Sequence, residues 1–128
     1  MRNFLIFSIC ILSVSSFWIQ SDAHQEAAEL IKKIELAKSN NQDVSSYFHQ
    51  FFTFMGCEES FFKRQALQLL PNKVEKIISA SKKSGRLEVV ISANIRNQLR
   101  VLQFAARKED GKYVIFDGRT MDCNLYDF

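Results

Sequence analysis

The sequence predicts an α+β fold in which helices pack on one curved antiparallel sheet, and three observations carry that prediction. Between residues 24 and 39, apolar side chains recur as a single stripe at helical spacing: Ala27, Leu30, Ile31, Ile34 and Ala37. After Pro71, four segments, VEKIISASKK, RLEVVISANI, LRVLQFAARK and KYVIFDGRTM, are rich in β-branched and aromatic residues. Turn signals at Ser84-Gly85, Asn97-Gln98 and Asp110-Gly111 separate these segments at near-constant spacing, as the hairpins of an antiparallel meander require.

The chain begins with one basic residue, an apolar run from Phe4 to Val14, and a small-residue exit at Ser21 and Ala23. That is the pattern of a secretory signal peptide over residues 1–23, leaving a mature domain over 24–128 in the extracellular space. Phe17, Trp18 and Ile19 extend the apolar character toward the alternative, a signal anchor. Ser13, Ser15 and Ser16 interrupt it, however, and a membrane span wants about 20 sustained apolar residues.

The first mature element is a helix, supported on its wet side by the Glu29 and Lys33 pair four residues apart. Asn40 and Asn41 stop it, and Asp43 is placed to cap a short second helix from Val44 to Phe48. FFTFMG, residues 51–56, is aromatic without helical periodicity and reads as a buried strand. Glu58, Glu59 and Ser60 form a turn or a short return strand. Ser60 then caps a third helix, Phe61 to Leu70, with Phe62, Ala66, Leu69 and Leu70 inward and Pro71 at its end.

In the four meander strands both faces carry apolar residues. In the last, Tyr113 and Ile115 point opposite to Val114 and Phe116. A sheet covered by helices on one side alone is expected to be polar on the other. The second face is therefore expected to be covered, by curling or by a second subunit in a homodimer.

Composition excludes several function classes. The 128 residues, 47% hydrophobic and 24% charged, suit one globular domain. The net charge of +3 comes without any run of more than two basic residues and without aromatic residues interleaved among them, so no nucleic-acid surface is expected. No Asn-x-Ser/Thr acceptor occurs. Removal of the leader takes Cys10 with it and leaves Cys57 and Cys123, an even pair bound for an oxidising compartment, which reads as a disulfide; two buried free thiols are the alternative. Two cysteines and two histidines, His24 and His49, have no zinc spacing, and neither a metal nor a cofactor is expected.

YFHQFFTFMGC at residues 47–57, followed by a helix with Phe62 and Leu69-Leu70 and then the meander with Cys123 near its end, resembles the nuclear-transport-factor-2-like family of the cystatin-like group. The likeness is to the short secreted members found in nematodes and covers about residues 26 to 124. It implies a helix-lined cone of curved sheet. It also implies that Cys57 and Cys123 come within bridging distance, because the edge after the first strand neighbours the last strand in that fold. Cystatins share the group, but the Q-x-V-x-G inhibitory hairpin and the later Pro-Trp loop are missing here.

Enzymes that resemble this fold place an Asp base and a Tyr or protonated-acid donor inside the cone. The corresponding candidates are Asp43, Tyr47, His49, Tyr113, Asp117 and Tyr126. Each also has a simpler role: helix cap for Asp43, core edge for Tyr47 and Tyr113, rim for His49, and a bend or bulge at Asp117-Gly118. No nucleophile, metal-helix, phosphate-loop or dinucleotide motif occurs. Phe48, Phe51, Phe54, Phe62 and Phe104 are the candidates to line an apolar ligand cavity, with plain core packing as the alternative. The function so implied is non-enzymatic binding of a small apolar ligand or a protein. A small isomerase-like or lyase-like enzyme with an acid-tyrosine pocket, and a self-associating extracellular structural protein, are the alternatives. A cavity of about 300 Å³ or more would favour a carrier or enzyme, whereas a filled cone would move function to the outer sheet face.

Overall fold

The computed structural model describes residues 22–123. The expected leader lies outside the described residues apart from Asp22 and Ala23, as does Tyr126. Helix α1 occupies residues 22–39 and buries its stripe: Ala27, Leu30 and Ala37 belong to the core, with Ile31 and Ile34 packed against it. Asn41 closes the helix at φ 57°. Its amide donates to the Lys38 carbonyl (3.1 Å) and the Gln42 amide to the Ala37 carbonyl (2.8 Å), a Schellman closure that satisfies acceptors the helix would leave open. No helix among the described residues is long and apolar enough to cross a membrane.

The second helix expected from Val44 to Phe48 is a single 3-10 turn, Ser45–Tyr47. Asp43 accepts from the Ser45 amide (2.9 Å) and hydroxyl (3.0 Å), which closes a local turn. Phe48 then becomes extended because it pairs with Ile115 in the sheet. Strand β1, Phe48–Met55, thus begins three residues before the expected FFTFMG segment and takes in His49 and Gln50. A short return strand, β2 at Ser60–Phe62, follows, so Ser60 is sheet and caps nothing. Helix α2 is confined to Lys63–Leu69. Leu70 leaves it at ψ 143°, the extended conformation that Pro71 imposes on its predecessor.

The meander follows as β3 (Val74–Lys83), β4 (Arg86–Ile95), β5 (Gln98–Glu109) and β6 (Lys112–Thr120). The six strands run in the order β2-β1-β6-β5-β4-β3, with β1 parallel to β6 and every other pair antiparallel. The hairpin turns are two residues long with positive φ at both: Ser84-Gly85, Arg96-Asn97 and Asp110-Gly111. The middle turn lies one residue earlier than Asn97-Gln98. Its register pairs Leu87 with Ala106; a turn one residue later would set Lys108 opposite the fully buried Leu87.

The core occupies the concave side. Phe48, Phe52 and Phe54 from β1, Leu87, Val89, Ile91 and Ala93 from β4, and Leu102 and Ala106 from β5 are buried there beneath α1. In β6 the pairing jumps from Ala106 with Ile115 to Ala105 with Asp117, so Phe116 is the extra residue of a β-bulge. Before the bulge Tyr113 and Ile115 face inward; after it Gly118 does. A Cβ on Gly118 would lie 2.8 Å from the Phe104 ring and 3.0 Å from the Phe54 ring, so the glycine lets both aromatics close over the strand. Because β1 and β6 are parallel, the chain leaves both at the same end, and there Cys57 and Cys123 are joined with Cα atoms 5.3 Å apart.

Candidate functional site

The concave side holds an apolar cavity of about 80 Å³ between α1 and the sheet, with Leu30, Ile34, Phe48, Leu87, Phe104 and Ile115 among its walls. Of the phenylalanines expected to line a pocket, Phe48 and Phe104 stand in the wall of this cavity. Phe54 is buried beside Phe104, with ring centroids 6.1 Å apart. Phe51 and Phe62 correct the expectation: they are 76% and 75% exposed. Alternation along β1 sends Phe52 and Phe54 inward and Phe51 outward, and Phe62 pairs with Thr53 on that same outer side. Phe62 precedes α2; of the expected inward set Ala66 and Leu70 do face the core, with Leu67 packed there as well.

The tyrosine candidates meet in a second place. Tyr47 and Tyr113 line an open polar cleft of about 760 Å³ between α1, the 3-10 turn and the β5–β6 hairpin. There the Tyr113 hydroxyl donates to Glu26 Oε2 (2.6 Å), and Lys82 Nζ lies 2.9 Å from the same oxygen and 3.0 Å from Asp22. Glu26 therefore ties α1 to both flanks of the curled meander. Burial pushes its carboxyl up, but the hydrogen bonds from Tyr113 and Lys82 outweigh that and hold it below the usual range. Its spacing four residues before Leu30 was the available signal, since it extends the α1 stripe with a charge.

Burial, then the bond to Glu26, pushes the Tyr113 phenol up to about 12 from its ordinary 10.0. The folded chain thus holds that proton more tightly than the unfolded one. The stability it contributes is intact below about pH 10 and is lost as pH rises through about 12. An ultraviolet titration is expected to show the Tyr113 phenol ionising late and moving back toward 10 in Glu26→Gln; a titration curve unchanged by Glu26→Gln would contradict the tie.

The aspartates do not join this cleft. Asp43 is exposed and used by Ser45, whose amide and hydroxyl hold its carboxyl below the usual range. Asp117 would share the Tyr113 face in a regular strand, but the bulge at Phe116 turns it to the outer face, opposite Ala105 and Thr53. His49 sits at the rim: its Nδ1 accepts from the Phe51 amide (3.1 Å), and its Nε2 is 3.9 Å from Glu109. No group of three His, Cys, Asp or Glu among the described residues is arranged to hold a metal.

At the opposite rim a cleft of about 380 Å³ adjoins the disulfide, walled by Phe54, Phe61, Ile95 and Arg100. Arg100 is anchored by Asp122 (3.2 Å), which also accepts from the Val101 amide (3.2 Å), and its Nη2 donates to Cys57 Sγ (2.9 Å).

On the outer face, register places Phe62, Thr53, Asp117, Ala105 and Glu88 in one cross-strand row, and Ser60, Met55, Arg119, Gln103 and Val90 in the next. Met55, Leu99 and Met121 are exposed along with Phe51 and Phe62.

This arrangement matches solved structures across most of the chain. An NTF2-like protein of unknown function from Shewanella oneidensis superposes with a TM-score of 0.60 at 14% identity, over 76% of this chain and 97% of its own. A de novo designed protein with a curved β-sheet gives 0.59 at 16% identity, over 79% and 98%. An NTF2-like protein of unknown function from Cytophaga hutchinsonii gives 0.52 at 12%, over 82% and 95%. The chain has the NTF2-like fold. No protein-family model and no curated protein matches its sequence, so the NTF2-like cone comes without an inherited activity, and function has to be argued from its surfaces.

Proposed function

We propose that this NTF2-like domain is a secreted, non-enzymatic binding protein that works through the outer face of its sheet, with a second copy of the chain as occupant. The observation that carries this is the exposure of Phe51 and Phe62, 76% and 75%, on either side of Thr53 on a face that no element among the described residues covers. The cone offers less: about 80 Å³ is well below the roughly 300–1,000 Å³ of small-molecule pockets. Asp117 and Arg119 lie in adjacent rows of the outer face, so a two-fold rotation can set each against its opposite on the other copy, the self-complementarity an isologous contact needs. The leader-like residues 1–23 and the Cys57–Cys123 bridge support secretion, because disulfides persist in oxidising compartments.

Sedimentation across a concentration series tests the reading. A reversible dimer is expected, weakened by about tenfold or more in Phe51→Ser/Phe62→Ser with an unchanged circular dichroism spectrum. A chain that stays monomeric at the highest concentrations, or a dimer indifferent to both substitutions, would overturn it.

A further inference from the structure

The cone cavity has a chemical asymmetry that the outer-face reading does not use. Its walls are aliphatic and aromatic, and Lys38 stands in its lining where α1 passes the α2–β3 connection. The Lys38 ammonium donates to the carbonyls of Leu70 and Pro71, both at 3.3 Å. Among the described residues no carboxylate lies within ion-pair distance of it. Two long bonds to neutral acceptors leave a half-buried cation with a third donor and no counter-ion. Burial also pushes its ammonium below the usual lysine range, the direction that a bound anion would reverse. Lys38 continues the core-facing α1 series Ala27, Ile31, Ile34 with a charge where that stripe calls for an apolar side chain.

We infer that the cavity takes a short alkyl carboxylate, its chain against Ile34, Phe48 and Phe104 and its carboxylate on Lys38. Size sets the chain length. An apolar cavity of about 150 Å³ holds benzene, so about 80 Å³ admits three or four carbons. The Asn72 amide, also in the lining, offers a second donor. Glu35 is the acidic residue of the lining and opposes the anion, so its neutralisation strengthens binding.

The test is an NMR titration of the intact oxidised protein with sodium pentanoate and, separately, 1-pentanol. Pentanoate is expected to bind about tenfold more tightly than the alcohol, as a charge-assisted contact implies, and to shift methyl signals of Ile34 and Leu87. Lys38→Met is expected to erase that preference while keeping the alcohol, Lys38→Arg to retain it, and Glu35→Gln to enlarge it. Equal affinities, or a preference that survives Lys38→Met, would overturn the role of Lys38. Binding of neither compound would overturn the cavity as a ligand site. Each of these results is independent of sedimentation, so the outer-face reading stands or falls separately.

Discussion

Phe52→Ala is expected to destabilise the domain by about 3–5 kcal/mol, the range for removing a fully buried aromatic ring. Phe52 is fully buried in the core and packs edge-on against Phe48, with centroids 4.9 Å apart. Its deletion therefore removes apolar burial and an aromatic pair, and leaves a hole that the β1 backbone, held between β2 and β6, cannot close. The neighbour supplies the control: Phe51→Ala, on the outer face, is expected to change monomer stability by only about 0.5 kcal/mol. Urea denaturation of both at low protein concentration checks the pair. Comparable losses at the two positions would contradict the inward and outward assignment of β1.

Removing the bridge is expected to cost about 4 kcal/mol in Cys57→Ser/Cys123→Ser. The two cysteines are 66 residues apart, and a loop of that length strongly restricts the unfolded chain. The bridge also staples the ends of β1 and β6, the parallel pair that joins the N-terminal elements to the meander. Against a total of about 5–15 kcal/mol for a domain, this loss leaves the fold marginal. Guanidinium unfolding of the oxidised protein against the double serine variant measures it, and a midpoint shift near zero would show that the bridge is ornamental. Arg100 keeps its Asp122 anchor in that variant, so the rim changes by the loss of the sulfurs alone.

Much of this fold is legible in the sequence because local chemistry and tertiary demand agree. Asp110-Gly111 and Ser84-Gly85 supply positive φ where two-residue hairpins need it, and Asn41 does so where α1 must end. The failures share another cause: they depend on pairing between distant segments. Phe48 is drawn out of a helix by Ile115, and Ser60 and Phe61 are drawn into a strand by Phe54 and Met55. The bend or bulge expected at Asp117-Gly118 is present, but it falls on Phe116, and that placement, set by pairing with β5, decides that Asp117 faces away from Tyr113. Glu26 and Lys38 were within reach of a pattern reading, since each places a charge on the α1 stripe. Their partners, Tyr113 and the Leu70 and Pro71 carbonyls, were not.

The sheet ends on one side in β3, a ten-residue strand whose outer edge has no neighbouring strand among the described residues. Its pairing with β4 slips after Val74 and again after Ile77, and Lys76, Lys82 and Lys83 line it. A twice-kinked, lysine-bearing border is a poor template for another strand. Such a border steers copies away from open-ended stacking, edge upon edge, and leaves face-to-face closure as the route to a finite assembly. A closed pair and an open-ended fibre differ in that respect alone.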